Sequence, residues 1–361
     1  MIELFAQPGA VKLGVVGYGY WGPKLVRNLN DIPSAALGWV VDRDPERLER
    51  VGTNYPALRT TTDYEEMLRS DVEAVVIATP IRSHFALARA ALLAGKHVLV
   101  EKPLTASSSE AHMLTEIAES RELTLMVGHT FEYNAAIRRL RDVVVSGDLG
   151  DILYVDSARL NLGRFQADIN VLWDLAPHDL SILLYVLGLD PIEVSARGSA
   201  SVRRGIHDVA YLDVRFPGNI LAHMHFSWLD PCKVRRITIV GSKQMVVCND
   251  LSETEKIRIY DKGVEQPYET DQFSDFHLQY RYGGVNIPHV PFREPLRVQC
   301  EHFLDCVRSG ERPQSDGRVG TKVVHIVEQA DKSLQNGGDR EPFALQFAPA
   351  MSEMSLHIAA G

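Results

Sequence analysis

A short glycine-rich segment near the start of the chain restricts the folds that this sequence can adopt. The apolar run VKLGVVG closes in glycine, and GYGYWG follows in G-x-G-x-x-G spacing ahead of a helical stretch. In such a strand–turn–helix unit, the first glycine allows a tight turn, the second admits a pyrophosphate to the backbone, and the third lets helix and strand pack closely. This context favours a dinucleotide-binding turn over a glycine-rich turn without a ligand. The predicted turn consists of Gly17, Gly19, Tyr20, Trp21 and Gly22.

The first 128 residues alternate between apolar runs and helical patterns. Four more runs follow the first, namely ALGWVVD, EAVVIATP, HVLVEKP and LTLMVGH. Ser83 and Gly95 mark the start and end of one intervening helix. Continuous apolar runs are typical of parallel strands buried on both faces. Repeated βαβ units of this kind predict a doubly wound parallel sheet, so residues 1–128 are predicted to form an NAD(P)-binding Rossmann domain.

Beyond Gly128 the strand-like runs lie closer together. A helix over about 133–146, the strand DILYVDSARLN and a helix after WDLAPHD precede four or five strands with short connections. This spacing predicts a mostly antiparallel sheet with helices on one face. Two more helices are predicted within about 296–334. The fold class is therefore α/β, with residues 129–361 as a second α/β domain that binds the substrate.

Composition excludes several classes of partner. The chain has 361 residues, enough for two domains, and a formal net charge of -9 without a long basic run, which argues against nucleic-acid binding. No apolar run reaches membrane-spanning length, and no secretion pattern opens the chain. Cysteines without C-x-x-C spacing argue against a metal site or disulfides and favour a reduced, cytoplasmic setting. They are Cys232, Cys248, Cys300 and Cys306.

Residues that follow the predicted strands are candidates for cofactor binding. Asp42 ends the second strand at the usual position of the acid that binds a ribose 2′-hydroxyl, which favours NAD over NADP. A simple turn residue is the alternative for Asp42, while Arg43 is placed to stack on adenine or reach a phosphate. Thr79 and Pro80 are predicted at the carboxyl edge of the sheet, where ligands lie. His84 is either a cofactor contact or a helix-start residue without a role.

VLVEKPL places Glu101 and Lys102 at the end of a buried strand. A lysine there is predicted beside the nicotinamide end of the cofactor, where its ammonium can donate to a substrate oxygen and stabilise negative charge. A solvated loop lysine paired with Glu101 is an equal alternative from these residues alone.

The segment WDLAPHDL sets Asp174 and His178 four residues apart, on one face of a helix. Because proline is tolerated in the first helical turn, Pro177 predicts that both side chains lie at the start of the helix. A histidine is suited to accept a proton near neutral pH, and the aspartate can orient its ring or contact a second hydroxyl. Asp179 is predicted to face the helix dipole or solvent. The alternative is a helix start with an incidental histidine.

GYGYWG, AGKHVLVEKPL and an Asp-x-x-x-His helix start together resemble the Gfo/Idh/MocA oxidoreductase family, over about residues 11–334. The resemblance implies a Rossmann domain followed by an α/β domain with a large open sheet. It also implies NAD(P) chemistry on sugar or cyclitol carbons, and Lys102, Asp174 and His178 as catalytic residues. A cis Lys102–Pro103 bond and pairing of open sheets into a homodimer or homotetramer are further implications.

The remaining candidates concern the substrate. His129 and Tyr133 follow the last Rossmann strand and are predicted to face the cleft, although His129 is equally suited to a hinge satisfied by backbone. Arg159, Asn161 and Arg164 precede the catalytic helix, and guanidinium groups there suit an anionic substrate. Surface ion pairs are the alternative for the two arginines.

The segment LNLGRFQADINVLWDLAPHDLSILLYVLG resembles the sequences of one branch of this family, whose members oxidise C3 of nucleotide-activated amino sugars such as UDP-N-acetylglucosamine. The resemblance therefore implies a small sugar substrate linked to a nucleotide. Oxidation of a free polyol such as inositol is an alternative, and a redox-silent NAD-binding sensor or scaffold is an alternative of another class.

Overall fold

The computed structural model describes residues 9–166, 168–265 and 278–345. Within them, a first sheet holds β1 (Val11–Val16), β2 (Ala35–Val41), β3 (Arg59–Thr61), β4 (Ala74–Ile77), β5 (His97–Glu101) and β6 (Leu125–Gly128). The intervening helices are α1 (Gly22–Asp31), α2 (Pro45–Asn54), α3 (Tyr64–Leu68), α4 (His84–Leu93) and α5 (Ser108–Ser120).

All neighbouring strands of this sheet are parallel, in the order β3-β2-β1-β4-β5-β6. The predicted doubly wound Rossmann sheet is confirmed. The strands that the apolar runs predicted are buried almost throughout, because helices cover both faces. The edge strand β3 was not predicted, since its three residues are exposed or half-buried and carry no apolar run.

The second sheet has nine strands within the described residues, in the order β14-β13-β12-β11-β7-β10-β9-β8-β15. They are β7 (Ile152–Leu162), β8 (Glu193–Ser199), β9 (Val209–Phe216), β10 (Ile220–Ser227), β11 (Leu229–Gly241), β12 (Met245–Asn249), β13 (Ile257–Glu265), β14 (Gln279–Asn286) and β15 (Glu341–Pro342). β7 and β10 are parallel and the other neighbours are antiparallel, which confirms the predicted mostly antiparallel sheet.

Beyond residue 128 the described ranges hold four α-helices: α6 (Ala135–Val145), α7 (Val171–Leu187), α8 (Pro295–Ser309) and α9 (Gly317–Gln335). α6, α7 and α9 pack against strands on one face and bury one continuous apolar core with them. The other face is more exposed, and Tyr211 stacks there on His225 with ring centroids 4.4 Å apart.

The C-terminal helices also pack against the first sheet. α8 contacts α1 and β1, and Phe303 is buried in the same apolar cluster as Leu13. α9 lies close to α5 and β6, where a Cβ on Gly317 would stand 2.7 Å from Thr115 Oγ1. The division at residue 128 therefore stays a prediction, and its outermost parts, 1–8 and 346–361, lie outside the described residues.

The prediction that Pro177 lies in the first turn of its helix is wrong. α7 begins at Val171, because the Asn170 side chain accepts hydrogen bonds from Leu172 N and Trp173 N and caps the helix there. Pro177 is thus the seventh helical residue, and its missing N–H removes the bond that the Trp173 carbonyl would accept.

None of the helices in the described ranges has both the length and the apolar content needed to cross a bilayer. The four cysteines are free thiols.

Candidate active site

The glycine turn joins β1 to α1 in a conformation that its residues dictate. Gly17 has a φ of +95°, and a Cβ there would stand 2.6 Å from the Ala78 carbonyl oxygen. A Cβ on Gly22 would stand 2.1 Å from the Gly17 carbonyl oxygen, so both positions require glycine for packing. A Cβ on Gly19 would stand 3.7 Å from Arg47 Nη1, an ordinary contact with the end of a flexible side chain, so the space beside this backbone is open to a ligand. This arrangement fits the pyrophosphate of a dinucleotide.

A cavity of about 870 Å³ opens beside this turn. It brings together eight of the residues predicted to bind the cofactor: Gly17, Gly19, Tyr20, Trp21, Asp42, Arg43, Thr79 and Pro80. Gly22 lies at the packing contact behind the turn rather than in the cavity wall.

Asp42 is held rigidly at the wall of this cavity. Its carboxylate accepts hydrogen bonds from Tyr18 N at 2.6 Å and Asp44 N at 2.9 Å, and Arg47 Nη1 lies 3.4 Å away. These contacts fix the carboxylate where a ribose hydroxyl can donate to its remaining lone pairs.

His84 does not line the cavity. Its ring is 1% exposed, and its two nitrogens lie 2.9 Å from the Pro103 carbonyl oxygen and 2.8 Å from the Thr79 carbonyl oxygen. Burial lowers the pKa of His84. The ring therefore ties together the loops that follow β4 and β5, which is a positioning role behind the cofactor cavity.

Lys102 links the two sheets at the site. The chain leaves β5 through Glu101, and the Lys102–Pro103 peptide bond is cis, as predicted. Lys102 Nζ donates to the Asp174 carbonyl oxygen at 2.9 Å and lies 3.8 Å from Asp174 Oδ1. Burial lowers the pKa of Lys102, while the Asp174 and Glu101 carboxylates oppose that shift. Burial also raises the pKa of Glu101 to about 7.

Asp174 is oriented by a tryptophan and not by the neighbouring histidine. Its Oδ2 accepts a hydrogen bond from Trp228 Nε1 at 2.9 Å. Trp228 directly follows β10 and is buried. The hypothesis that Asp174 orients the His178 ring is not what the structure shows, since Trp228 and Lys102 are the groups that its carboxylate contacts in the described chain.

His178 lies one turn after Asp174 on α7 and lines a second cavity, of about 470 Å³. Its Nδ1 is buried without a partner among the described residues, so Nε2 is the nitrogen available to a ligand. Burial holds the pKa of His178 well below its usual value, and the charges of Lys102, Arg159 and nearby groups act in the same direction. The imidazole is therefore neutral, which is the form that can accept a proton.

The predicted anion-binding role of Arg159 conflicts with its contacts. Arg159 Nε and Nη2 donate to the two oxygens of Asp179 at 2.7 and 2.9 Å, and both side chains are buried. The prediction that Asp179 faces solvent is wrong for the same reason. If Arg159 turned to a ligand, the buried Asp179 carboxylate would lose its partner, which is unfavourable. The buried bidentate pair therefore keeps the guanidinium from binding an anionic substrate.

The prediction that Tyr133 faces the cleft is wrong. Its side chain is 1% exposed, and its hydroxyl hydrogen-bonds Ser315 Oγ at 3.0 Å, within the core shared with α8. The 3-10 turn Thr130–Tyr133 directs Phe131 toward the second cavity instead.

The other predicted substrate residues have different surroundings. His129 is buried with neither ring nitrogen bonded within the described residues, and burial lowers its pKa to about 3. Asn161 Oδ1 is buried without a partner there. Arg164 lies exposed in the connection from β7 to α7.

The second cavity includes charged residues that sequence reasoning missed. They are Arg235 on β11, and Asp250 and Lys256 in the connection from β12 to β13. The available signal was the strand pattern of VRRITIV, in which Arg235 shares a face with the buried Ile237 and Ile239.

An enzyme that transfers hydride to NAD needs a site for the dinucleotide. Beside it, the enzyme needs side chains that stabilise negative charge on oxygen and accept a proton. This fold and site therefore define an NAD-binding oxidoreductase. Residues 11–129 match the model described as "Oxidoreductase family, NAD-binding Rossmann fold", and residues 137–247 match the GFO/IDH/MocA C-terminal domain. The chain belongs to the Gfo/Idh/MocA family, which confirms the resemblance seen in the sequence.

Similar proteins include dehydrogenases of a nucleotide sugar and of a cyclitol. UDP-N-acetylglucosamine 3-dehydrogenase of Acidithiobacillus ferrooxidans is 28% identical, over 90% of this chain and 97% of that protein. Its solved structure superposes with a TM-score of 0.75 at 27% identity, covering 91% of this chain and 98% of that chain. Myo-inositol 2-dehydrogenase of Thermotoga maritima is 25% identical, over 90% of this chain and 96% of that protein.

Proposed function

We propose that this protein oxidises a secondary hydroxyl of a sugar with NAD, and that the substrate is a nucleotide-activated amino sugar oxidised at C3, such as UDP-N-acetylglucosamine. One observation carries the proposal. Lys102 from the first sheet donates through Nζ to the backbone carbonyl oxygen of Asp174 on α7 at 2.9 Å. His178, one turn further along α7, lines the adjoining cavity. The similarity to UDP-N-acetylglucosamine 3-dehydrogenase supports this substrate class.

The residues divide the chemistry of alcohol oxidation between them. His178, neutral at physiological pH, accepts the hydroxyl proton. The Lys102 ammonium donates to the same oxygen and stabilises the negative charge that develops there. Asp174, fixed by Trp228, offers Oδ1 to a second sugar hydroxyl. When bound, the nicotinamide supplies the acceptor for the hydride that leaves the carbon.

A substrate panel tests the proposal. Purified protein with NAD is offered UDP-N-acetylglucosamine, free N-acetylglucosamine and myo-inositol, and NADH formation is followed by absorbance. We expect the largest kcat/KM with the nucleotide sugar and a 3-keto product by mass spectrometry. Turnover of inositol alone would favour the polyol alternative, and NAD binding without turnover of any alcohol would favour a sensor or scaffold.

Asp42 is proposed to select NAD over NADP. Replacing Asp42 with serine is expected to lower kcat/KM for NAD about 10- to 100-fold, since a charge-assisted hydrogen bond to the ribose is lost. Activity with NADP should rise, because Arg43 and Arg47 remain to face a 2′-phosphate. Asp63→Ser is the matched control, since Asp63 caps α3 through Glu65 N outside the cavity. An unchanged NAD preference in Asp42→Ser would contradict this role.

The pH dependence should reflect the lowered pKa of His178. Because a lowered pKa keeps the imidazole neutral to more acidic pH, the acid limb of kcat/KM is expected below pH 6.5. Glu101, with a pKa of about 7, titrates close by, so the profile is measured in wild type and in Glu101→Gln. A limb at or above pH 6.5 that persists in Glu101→Gln would exclude His178 as a base with a lowered pKa.

We also propose that the protein is cytoplasmic and assembles as a homodimer or homotetramer through the exposed face of the nine-stranded sheet. That face carries large exposed side chains, including Tyr154 at 47% and Leu221 at 44% exposure. Light scattering coupled to size exclusion measures the assembly, and a monomer at micromolar concentration would refute it.

A further inference from the structure

The cavity that holds His178 contains a pair of cations outside the proposed catalytic group. Arg235 on β11 and Lys256 ahead of β13 both line it, on the side of the second sheet. The Phe131 ring is close to both the proposed base and one of these cations. Its centroid lies 5.0 Å from the centroid of the His178 ring and 5.3 Å from Cζ of the Arg235 guanidinium. A ligand group bound at these cations therefore lies a short distance from the proposed base.

One carboxylate residue contacts both cations but carries only one negative charge. Asp250, directly after β12, accepts from Arg235 Nη1 at 3.2 Å through Oδ2 and from Asn134 Nδ2 at 2.9 Å through Oδ1. Its backbone carbonyl oxygen accepts from Lys256 Nζ at 2.9 Å. Within the described residues Lys256 has no carboxylate partner, so a single negative charge faces two positive ones.

Two other charged residues of the cavity wall, Arg293 and Glu294, are engaged in pairs of their own. Glu294 contacts Arg27 and Asn28 on α1, and Arg293 contacts Glu301 on α8. Lys24 on α1 and Glu101 on β5 also line the cavity, from the first sheet and its helix, and the Lys24 ammonium lies over the rings of Tyr20 and Trp21. On the side of the second sheet, the excess positive charge is that of Arg235 and Lys256. Asp250 engages Nη1 of Arg235, and the Arg235 side chain is 32% exposed, which leaves its other guanidinium donors available to a ligand.

We infer that Arg235 and Lys256 form the subsite for the diphosphate of a nucleoside-diphosphate sugar. Two adjacent cations suit two linked phosphates, and a guanidinium can bind phosphate oxygens in bidentate fashion. The sequence predicts this role for Arg159, but its guanidinium is paired with the Asp179 carboxylate and does not face the phosphates. The inference rests on the proposed function, because it assigns the anionic part of that substrate.

Calorimetry with UDP on the NAD-saturated enzyme tests the subsite directly. Arg235→Gln and Lys256→Gln are each expected to weaken UDP binding about 10- to 100-fold, since each loses charge-assisted hydrogen bonds. Uridine, which carries no phosphate, should bind all variants alike. In turnover assays the two variants should raise KM for the nucleotide sugar, leave KM for NAD unchanged and change kcat little.

Arg236→Gln is the matched control. Arg236 follows Arg235 on β11 but is exposed on the opposite face, 3.7 Å from Asp156. It removes the same charge without touching the cavity. If Arg235→Gln does not fold, Arg235→Lys, which keeps the charge but not the forked donors, and Lys256→Gln decide the question. Equal losses of UDP affinity in Arg236→Gln and Arg235→Gln, or wild-type affinity in both cavity variants, would overturn the subsite.

The outcomes separate the subsite from the proposed function. Oxidation of the nucleotide sugar with an unchanged KM in Arg235→Gln overturns the subsite and leaves the function standing. Binding of UDP that depends on Arg235, without oxidation of any nucleotide sugar, supports the subsite and overturns the function. A wild-type enzyme that does not bind UDP overturns the subsite.

Discussion

Replacing His178 with alanine is expected to lower kcat for sugar oxidation about 1,000-fold, within the range that loss of a general base produces. The reason lies in its surroundings. The His178 ring is neutral and lines the second cavity, and the burial of Nδ1 leaves Nε2 as the nitrogen available to accept the proton. Steady-state rates of NADH formation measure the loss, and KM for NAD should stay close to wild type, because the cofactor turn lies on the first sheet.

A second histidine and added imidazole sharpen this test. His225→Ala removes a histidine from the exposed face of β10, where it stacks on Tyr211, and should leave kcat unchanged. Imidazole in the buffer should restore part of the activity of His178→Ala by entering the vacated space. Full turnover in His178→Ala would show that another group takes the proton.

Replacing Lys102 with methionine is expected to lower kcat about 100- to 1,000-fold, as removal of one donor to a developing oxyanion does. Methionine matches the length of the lysine stem but offers no proton and no charge. The buried ammonium also holds the Asp174 carbonyl at 2.9 Å, so Lys102→Arg, which keeps the charge, should retain more activity than Lys102→Met.

Lys96 provides the control at the other end of the same strand. It precedes β5 and donates to the carbonyl oxygens of Ser70 and Val72. Lys96→Met should lower thermal stability without lowering kcat, whereas Lys102→Met should lower kcat in a folded protein. Comparable kcat in Lys102→Met and wild type would contradict the assigned role of Lys102.

The sequence predicts elements well where burial imposes a repeated pattern. β1, β4, β5 and β6 are covered on both faces, so their residues are nearly all apolar. β14 is exposed almost throughout and shows no such pattern, which is why it was not predicted. Pro177 indicates a helix start later than the true one, because the Asn170 cap decides where α7 begins.

The candidate site shows a similar division. The turn glycines and Asp42 are recognisable because a phosphate or ribose imposes their type and spacing on neighbouring residues. The partners of Arg159 and Tyr133 are not, since Asp179 and Ser315 reach them through the fold from distant positions. A sequence can indicate that an arginine lies near a site, but it does not show which carboxylate is already paired with that arginine.

The packing of α8 and α9 against the first sheet limits how this architecture can be divided by recombination. The apolar surface of α1 is completed by side chains of α8 such as Phe303, and β6 is approached closely by the backbone of α9, where a Cβ on Gly320 would stand 2.5 Å from Val127 Cγ2. A dinucleotide-binding half exchanged between relatives at residue 128 would pack those surfaces against α8 and α9 of another sequence. We therefore expect a working exchange to carry both ends of the chain together.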